Sequence, residues 1–288
     1  MAIEVVPMQA ALGAEIRGVD LGGALSDELV AEIREAWLEH LVLLFRGQSL
    51  SDAQLLEFTE RLGEIEYPPS RHLNYSKGSG QKAEVPPEIN VISNVKENDK
   101  PIGQLGAGEA VWHSDSAFFD VPPAASVLHA LEIPPAGGNT SFLNMYAALD
   151  ALPSELRGRI TGRRVKHDPT YTSTGDKRDD FEAVDDVRDA PGPYHPILRT
   201  HPETGRLALY LGRRLNSYIE DFPVSESEEI LDAIWAHTTN RKFVWEHVWR
   251  VGDVLIWDNR CTMHRRDAFD DGARRVMHRT QIKGDTPV

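Results

Sequence analysis

Apolar residues recur along the chain with the spacings of regular secondary structure. Leu29, Ile33 and Trp37 recur every four residues behind Ser26, which predicts an N-capped helix with one apolar face. Two further helices are predicted where a Ser is followed three residues later by Gln or Glu, a capping-box pattern. These patterns are Ser51-Asp52-Ala53-Gln54 and Ser225-Glu226-Ser227-Glu228.

Short apolar or alternating runs predict strands over much of the remaining chain. The uninterrupted runs 41–45 and 254–257 are typical of strands that are buried on both faces, and residues 275–283 alternate between apolar and polar. Many short strands with a few packed helices predict a mainly β fold, a sandwich or barrel core with helical additions. The other strand-like segments are 3–7, 14–21, 89–93, 207–211 and 243–249.

No linker divides the chain, so we expect a single domain over residues 1–288. The periodic pattern weakens at about 68–108 and about 168–196, which we interpret as loop insertions within that domain. Long loops in a compact domain are often functional. The second insertion is rich in Asp and Arg and poor in apolar residues, so it is interpreted either as a surface insertion or as a lid over a site.

Charge and cysteine content narrow the possible functions. The 288 residues include 31 Lys or Arg and 45 Asp or Glu, a formal net charge of −14, which disfavours binding to nucleic acid or to an anionic membrane surface. The single cysteine, Cys261, excludes an internal disulfide and a zinc site with several thiolates. We therefore expect a cytoplasmic protein in which any metal is bound by His and carboxylate groups.

Two His-x-acid patterns are candidate metal ligands. His113 and Asp115 would project from the same face of a strand, whereas the Pro between His201 and Glu203 indicates a turn that splays the two side chains. His264 follows the apolar run 254–257 and a polar turn, where it can supply a third ligand. Two histidines and one carboxylate are typical of non-haem Fe(II) oxygenases, and zinc is the alternative metal.

A pair of arginines lies close to the end of the chain. Arg275 and Arg279 are four residues apart, so on a strand they share a face. Arginine suits bidentate recognition of a carboxylate or sulfonate. The pair predicts a cavity for small anionic ligands, unless both side chains pair with surface acids instead.

Four ordered motifs along the chain carry a family resemblance. They are 112–118 (WHSDSAF), 137–140 (GGNT), 257–265 (WDNRCTMHR) and 273–279 (ARRVMHR). In this order they resemble the taurine/2,4-dichlorophenoxyacetate dioxygenase family, and the resemblance extends over nearly the whole chain. It implies a double-stranded β-helix, or jelly-roll, core and an enzyme that depends on Fe(II), 2-oxoglutarate and O₂.

The resemblance also implies roles for individual residues. His113, Asp115 and His264 would bind the iron, and Thr140 and Arg275 would bind the 2-oxoglutarate carboxylate that is remote from the metal. Arg279 matches the position that meets the anionic group of the prime substrate or lies close to the cosubstrate. An acidic third ligand favours hydroxylation, because related halogenases carry a small residue in its place.

The substrate side of the site is less constrained by the motifs. We expect His72, Asn94 and Phe118 to line it, and Phe119 is either a further lining residue or part of the core. The expected substrate is a small organic anion such as an aryloxyalkanoate, with a taurine-like sulfonate or an alkyl sulfate as alternatives. Oxidation at a carbon bonded to oxygen or sulfur would give a product that fragments.

Two functions from other classes remain open at this stage. A zinc hydrolase could use the same three ligands, although the chain contains no His-Glu-x-x-His motif. A jelly-roll protein that binds a metal or ligand without catalysis is the other alternative. We expect a homo-oligomer with a small anionic substrate and with no nucleic-acid or membrane partner.

Overall fold

The computed structural model of the protein describes residues 3–68 and 85–288. This part of the chain is mainly β, with five helices. The helices are α1 (Asp27–His40), α2 (Asp52–Leu62), α3 (Met145–Asp150), α4 (Ser154–Ile160) and α5 (Val224–Thr238), with 3₁₀ turns at Val187–Asp189 and Arg241–Phe243. None of these helices is long and apolar enough to cross a bilayer.

The strands occur throughout the described residues. The first ten are β1 (Glu4–Pro7), β2 (Ala14–Arg17), β3 (Val42–Phe45), β4 (Ile65–Glu66), β5 (Asn90–Ser93), β6 (Lys96–Glu97), β7 (Lys100–Pro101), β8 (Gln104–Leu105), β9 (Ala110–His113) and β10 (Ala125–Glu132). The others are β11 (Thr140–Asn144), β12 (Arg164–Lys166), β13 (Tyr194–Pro196), β14 (Leu198–Thr200), β15 (Leu207–Leu209), β16 (Val244–His247), β17 (Val254–Asp258), β18 (Thr262–Arg266) and β19 (Val276–Ile282).

Two sheets form the framework of the fold. The larger has the order β1-β2-β3-β17-β10-β19-β5-β8, with β4 paired to β19. Within it, the pairs β2/β3 and β5/β8 are parallel, and the other pairs are antiparallel. The smaller sheet has the order β16-β11-β18-β9 and is antiparallel throughout. Three further two-stranded ladders join β12 to β13, β14 to β15 and β6 to β7.

The central strands of the larger sheet are buried on both faces, as their uninterrupted apolar runs predict. Leu43 and Ile256 lie in one apolar cluster with Trp37 of α1. The neighbouring residue Leu44 points to the opposite face, into a second cluster that includes Phe142 of the smaller sheet. One face of the larger sheet therefore packs on α1 and α2, and the other packs on the smaller sheet.

Two of the three predicted helix N-caps are present in the structure. The Ser26 hydroxyl accepts from the Leu29 N–H at 3.3 Å, and Ser51 and Gln54 form the complete capping box, so both predictions are confirmed. The capping box predicted at 225–228 is wrong, because α5 begins at Val224 after Pro223 and has no side-chain cap. The Ser227 hydroxyl is inside this helix and accepts from the Ile219 N–H at 2.9 Å instead.

The two segments interpreted as insertions differ in character. Of the first, residues 85–108 are described, and β5 lies inside the larger sheet between β19 and β8. The second is held mainly by polar contacts: Arg178 and Arg213 both donate to the Tyr171 carbonyl, and Asp168 accepts from the Thr170 N–H and hydroxyl. Its backbone is joined to β9 by the Val111 N–H, which donates to the Ser173 carbonyl at 2.9 Å.

Candidate active site

The three predicted metal ligands come from the end of β9, the turn that follows it and the middle of the neighbouring strand β18. His113 on β9 and His264 on β18 are directly opposite each other in the antiparallel ladder, and their ring centroids are 4.2 Å apart. Asp115 Oδ1 lies 3.6 Å from His113 Nε2 and 3.8 Å from His264 Nε2. All three side chains are buried, so the structure brings together the donor set expected from the sequence.

The route by which Asp115 reaches this point differs from the expected one. Strand β9 ends at His113, and Asp115 lies in the turn that follows. The prediction that the two residues share a strand face is therefore wrong. In that turn, Ser116 has a φ of 50° and its carbonyl accepts from the Phe119 N–H at 3.0 Å. Asp115 is thus part of a tight turn, and its carboxylate lies beside the two imidazoles.

Hydrogen bonding orients the His113 ring, and burial affects the protonation of His264. His113 Nδ1 lies 2.7 Å from the Val111 carbonyl, which can only accept, so Nδ1 carries a hydrogen and Nε2 is the ring nitrogen that can bind a metal. Desolvation by burial, together with the proximity of His113, lowers the pKa of His264 to about 3. Two imidazole nitrogens and a carboxylate oxygen are a suitable donor set for a divalent transition metal, so these residues fit the implied iron.

The carboxylate of Asp115 is ionised despite its burial. Desolvation alone would raise the pKa of Asp115, but the positive charge of Arg279 and the adjacent imidazoles hold it well below its ordinary value. Arg279 Nη1 donates to Asp115 Oδ1 at 3.0 Å, and the arginine is 9% exposed. The strand β19 therefore brings a cation directly to the ligand cluster from the opposite sheet.

A cavity on one side of the cluster contains the other predicted anion-binding groups. We call it the Thr140 cavity; Thr140, Arg266 and Arg275 line it together with His113, His264 and Arg279. Trp249 Nε1 donates to Thr140 Oγ1 at 2.9 Å. Because an indole N–H can only donate, the hydroxyl hydrogen of Thr140 stays available to a ligand.

Arg275 is the unusual group in this cavity. Its side chain is 2% exposed, and no carboxylate among residues 3–68 and 85–288 pairs with it. Burial and the nearby charge of Arg266 lower the pKa of Arg275 to about 9. A buried guanidinium without a carboxylate partner is a favourable site for the carboxylate of a ligand.

A second cavity also adjoins the cluster. This Phe118 cavity is lined by His113, Asp115 and Arg279, and also by Phe118, Thr172, Ser173, Arg178 and Arg213. The guanidinium carbons of Arg178 and Arg213 lie 4.5 and 5.6 Å from the Phe118 ring centroid. Aromatic and cationic groups therefore face the same space as the candidate metal ligands.

The remaining predicted substrate contacts are placed differently. The Asn94 side chain donates to the carbonyls of Asp271 and Ala273 and accepts from the Arg275 N–H at 3.0 Å, and it does not line either cavity. Phe119 faces a separate cavity beside Tyr67. His72 lies outside the described residues.

A second cluster of possible metal ligands consists of His201, Asp258 and Cys261, and both ring nitrogens of its histidine are already hydrogen-bonded. Residues 202–204 form the expected turn, and His201 Nδ1 accepts from the N–H groups of Glu203 and Thr204. Its Nε2 donates to Asp258 at 3.0 Å, and Asp258 also accepts from Arg260. His201 has no lone pair left for a metal, so this cluster is structural.

Several residues at the site were not identified from the sequence. Arg178 and Thr172 come from the irregular segment at 168–196, where no periodic pattern indicates a position in space. Arg266 is two residues after His264 and so lies on the same strand face, a signal that was present immediately after the motif 257–265. Trp249 follows the alternating run at 243–249, but its contact with Thr140 depends on tertiary structure.

Comparison with known proteins places this geometry in a family. The sequence profile described as "Taurine catabolism dioxygenase TauD, TfdA family" matches residues 4–281. The chain is 35% identical to the alpha-ketoglutarate-dependent 2,4-dichlorophenoxyacetate dioxygenase of Cupriavidus pinatubonensis, covering 100% of both chains. It is 31% identical to an alpha-ketoglutarate-dependent sulfate ester dioxygenase of Pseudomonas putida, covering 100% of this chain and 92% of the relative.

A solved structure shows the same overall arrangement. The crystal structure of AAD-2 in complex with Mn(II) and N-oxalylglycine superimposes with a TM-score of 0.79 at 29% identity, covering 100% of this chain and 99% of the other. The family match covers most of the chain, including the His113, Asp115 and His264 cluster. The protein described here therefore belongs to the TauD/TfdA family of dioxygenases.

Proposed function

We propose that the protein is an Fe(II)- and 2-oxoglutarate-dependent dioxygenase that hydroxylates a small organic anion. The observation that carries this proposal is a cluster of two histidines and one carboxylate that adjoins two cavities, one of which contains the buried Arg275, with no carboxylate partner among residues 3–68 and 85–288. The similarity to two alpha-ketoglutarate-dependent dioxygenases supports it. When bound, Fe(II) and 2-oxoglutarate supply the oxidation, in which O₂ is consumed and succinate and CO₂ are released.

The chain would bind these groups with residues from both sheets. His113, Asp115 and His264 would hold the iron on one face and leave the opposite face open to ligands. The Thr140 hydroxyl and the Arg275 guanidinium would bind the remote carboxylate of 2-oxoglutarate. The burial of both groups excludes water and strengthens the interaction, because charges attract more strongly in a region of low dielectric constant.

The prime substrate would occupy the Phe118 cavity. Arg279 contacts the ligand cluster directly through Asp115 and lines this cavity, so we propose that it holds the anionic group, while the Phe118 ring packs against the organic part. His72 stays a predicted substrate contact. The hydrogen bonds of Asn94 favour an indirect role for that residue, in which it positions the backbone of Arg275.

Some broader features of the protein are also proposals. The two facing sheets, joined by the apolar cluster around Phe142, support assignment of the core as a double-stranded β-helix within one domain over residues 1–288. The reduced, buried thiol of Cys261 is consistent with a cytoplasmic location. We retain the homo-oligomer as a prediction, to be measured by light scattering.

The proposed activity has a direct test. Under anaerobic conditions, Fe(II) and 2-oxoglutarate together are expected to give a visible charge-transfer band with the wild-type protein. In air, succinate release should increase with one or more members of a panel of aryloxyacetates, aryloxypropionates, alkyl sulfates and sulfonates. Absence of the band and of succinate release with every substrate would refute the proposed function.

Substitution of Arg279 separates substrate binding from cosubstrate binding. Loss of a buried charge partner costs about 2 kcal/mol or more, so Arg279→Ala is expected to raise KM for the prime substrate about 30-fold or more. The KM for 2-oxoglutarate should change little, as measured by succinate release. Arg265→Ala is the control, because Arg265 lies on β18 close to the site but pairs with Glu109 and Asp267. Equal loss of both affinities in Arg279→Ala would contradict the assigned roles.

A further inference from the structure

The two oxygens of Asp115 have different partners. Oδ1 faces the two imidazoles and Arg279, whereas Oδ2 lies 2.7 Å from the hydroxyl of Ser126 on β10. Ser126 is fully buried, and Asp115 is 4% exposed, so water does not compete for this contact. The side of the carboxylate that faces away from the cluster is therefore held by one buried hydroxyl.

The direction of every hydrogen bond around Ser126 is determined. Trp257 Nε1 can only donate, and it donates to Asn259 Oδ1 at 2.9 Å, so the Asn259 amide nitrogen must face Ser126, which it does at 3.3 Å. The single hydroxyl hydrogen of Ser126 is donated to Asp115 Oδ2 at 2.7 Å. Gln281 Nε2, at 3.1 Å from the same hydroxyl, then donates to it.

The strand register fixes this network in place. In the larger sheet, Ser126 is the direct partner of Trp257 on β17 and of Gln281 on β19. The Trp257 ring also packs against His264, with centroids 4.9 Å apart. The hydroxyl that donates to Asp115 Oδ2 is therefore part of a network on three adjacent strands, β17, β10 and β19. One of these strands, β17, also contacts the candidate ligand His264 through Trp257.

We propose that Ser126 is a positioning residue that holds Asp115 as a ligand through one oxygen only. With Oδ2 bonded to the hydroxyl, only Oδ1 faces the Nε2 atoms of His113 and His264. Rotation of the carboxylate to a two-oxygen mode would break the bond to Ser126 and would occupy a coordination position that the cosubstrate or O₂ needs. This inference rests on the proposed function, because it requires Asp115 to be a metal ligand.

Metal binding to the metal-free protein tests the proposal without any assay of activity. Loss of a hydrogen bond to a metal ligand typically costs 10- to 100-fold in metal affinity, so Ser126→Ala is expected to weaken Co(II) binding by about 10-fold in a calorimetric titration. Ser227→Ala is the matched control. Ser227 is equally buried, but its hydroxyl accepts from the Ile219 N–H and does not contact Asp115. An unchanged Co(II) affinity in Ser126→Ala, or an equal loss in Ser227→Ala, would overturn the proposal.

A double-mutant cycle identifies the path of the effect. If Ser126 acts through Asp115, then Ser126→Ala should cause no further loss of Co(II) affinity in an Asp115→Ala background. An equal loss in both backgrounds would overturn the positioning role. If Asp115→Ala itself binds Co(II) as tightly as the wild type, the proposed ligand set fails; if only Ser126→Ala is without effect, the positioning role alone fails.

Discussion

Replacing His113 with alanine is expected to lower succinate release by more than about 100-fold, which exceeds the 10- to 100-fold loss typical of groups that only support a metal ligand. The substitution removes one of the two nitrogen donors from a buried cluster in which Nε2 faces Asp115 at 3.6 Å. Without it, Fe(II) and 2-oxoglutarate should no longer give the charge-transfer band. The measurements are the anaerobic visible spectrum and succinate release at saturating cosubstrate.

His237→Ala is a suitable control for this experiment. His237 lies on α5 and makes a single ring contact with a backbone carbonyl, that of Ala148 at 2.9 Å, as the His113 ring does with Val111. The control should retain both the band and the activity, even if its unfolding temperature falls. A folded His113→Ala protein that still gives the band and releases succinate at the wild-type rate would exclude His113 as a ligand.

Replacing Arg275 with methionine should stabilise the cosubstrate-free protein and remove its response to 2-oxoglutarate. In the described part of the chain the buried guanidinium has no carboxylate partner, and exchange of buried charges for apolar side chains of similar volume stabilises proteins by up to about 4 kcal/mol. In the wild type, 2-oxoglutarate at about 100 times its Kd should add about 2.7 kcal/mol to the free energy of unfolding, which the variant should not show. Thermal unfolding with Mn(II), with and without 2-oxoglutarate, measures both effects.

The effect of Arg275 on stability should depend on pH in a defined direction. Burial and the charge of Arg266 lower the pKa of Arg275 to about 9 in the folded protein, so the folded state binds fewer protons than the unfolded state above that pH. Stability then rises with pH beyond about 9, and the advantage of Arg275→Met, complete at pH 7, should shrink there. Arg199→Met is the control, because Arg199 is also buried but pairs with Asp285. A destabilised Arg275→Met protein that still responds fully to 2-oxoglutarate would contradict the assignment.

The parts of the fold that the sequence predicted well depend on local contacts. The cap of α1 joins Ser26 to Leu29, and the box of α2 joins Ser51 to Gln54, so both are visible within four residues. The run 254–257 became a doubly buried strand because its apolar residues serve both faces of one sheet. Short helices such as α3 and α4, with six and seven residues, were not identified, since packing rather than a repeated pattern stabilises them.

The site was predictable to a different extent for each residue. His113, Asp115 and His264 were identified from donor chemistry, although Asp115 reaches the cluster through the turn at Ser116 rather than along a strand. Thr140 carried no signal of its own beyond two glycines, and its assignment came from the family motif. The network around Ser126 could not be predicted, because Asn259 and Gln281 are more than 130 residues from Ser126 and approach it only through the strand register.

The two cavities are lined by parts of the chain that contribute to different extents to the packed core. The candidate metal ligands and Arg275 lie on or next to strands of the two packed sheets, whereas Thr172 and Arg178 reach the Phe118 cavity from a segment that contributes few residues to the core. Substitutions in that segment can therefore alter the shape and charge of the substrate space while the oxidation chemistry stays intact. In evolutionary terms, this makes substrate range and reaction type separable traits of the same scaffold.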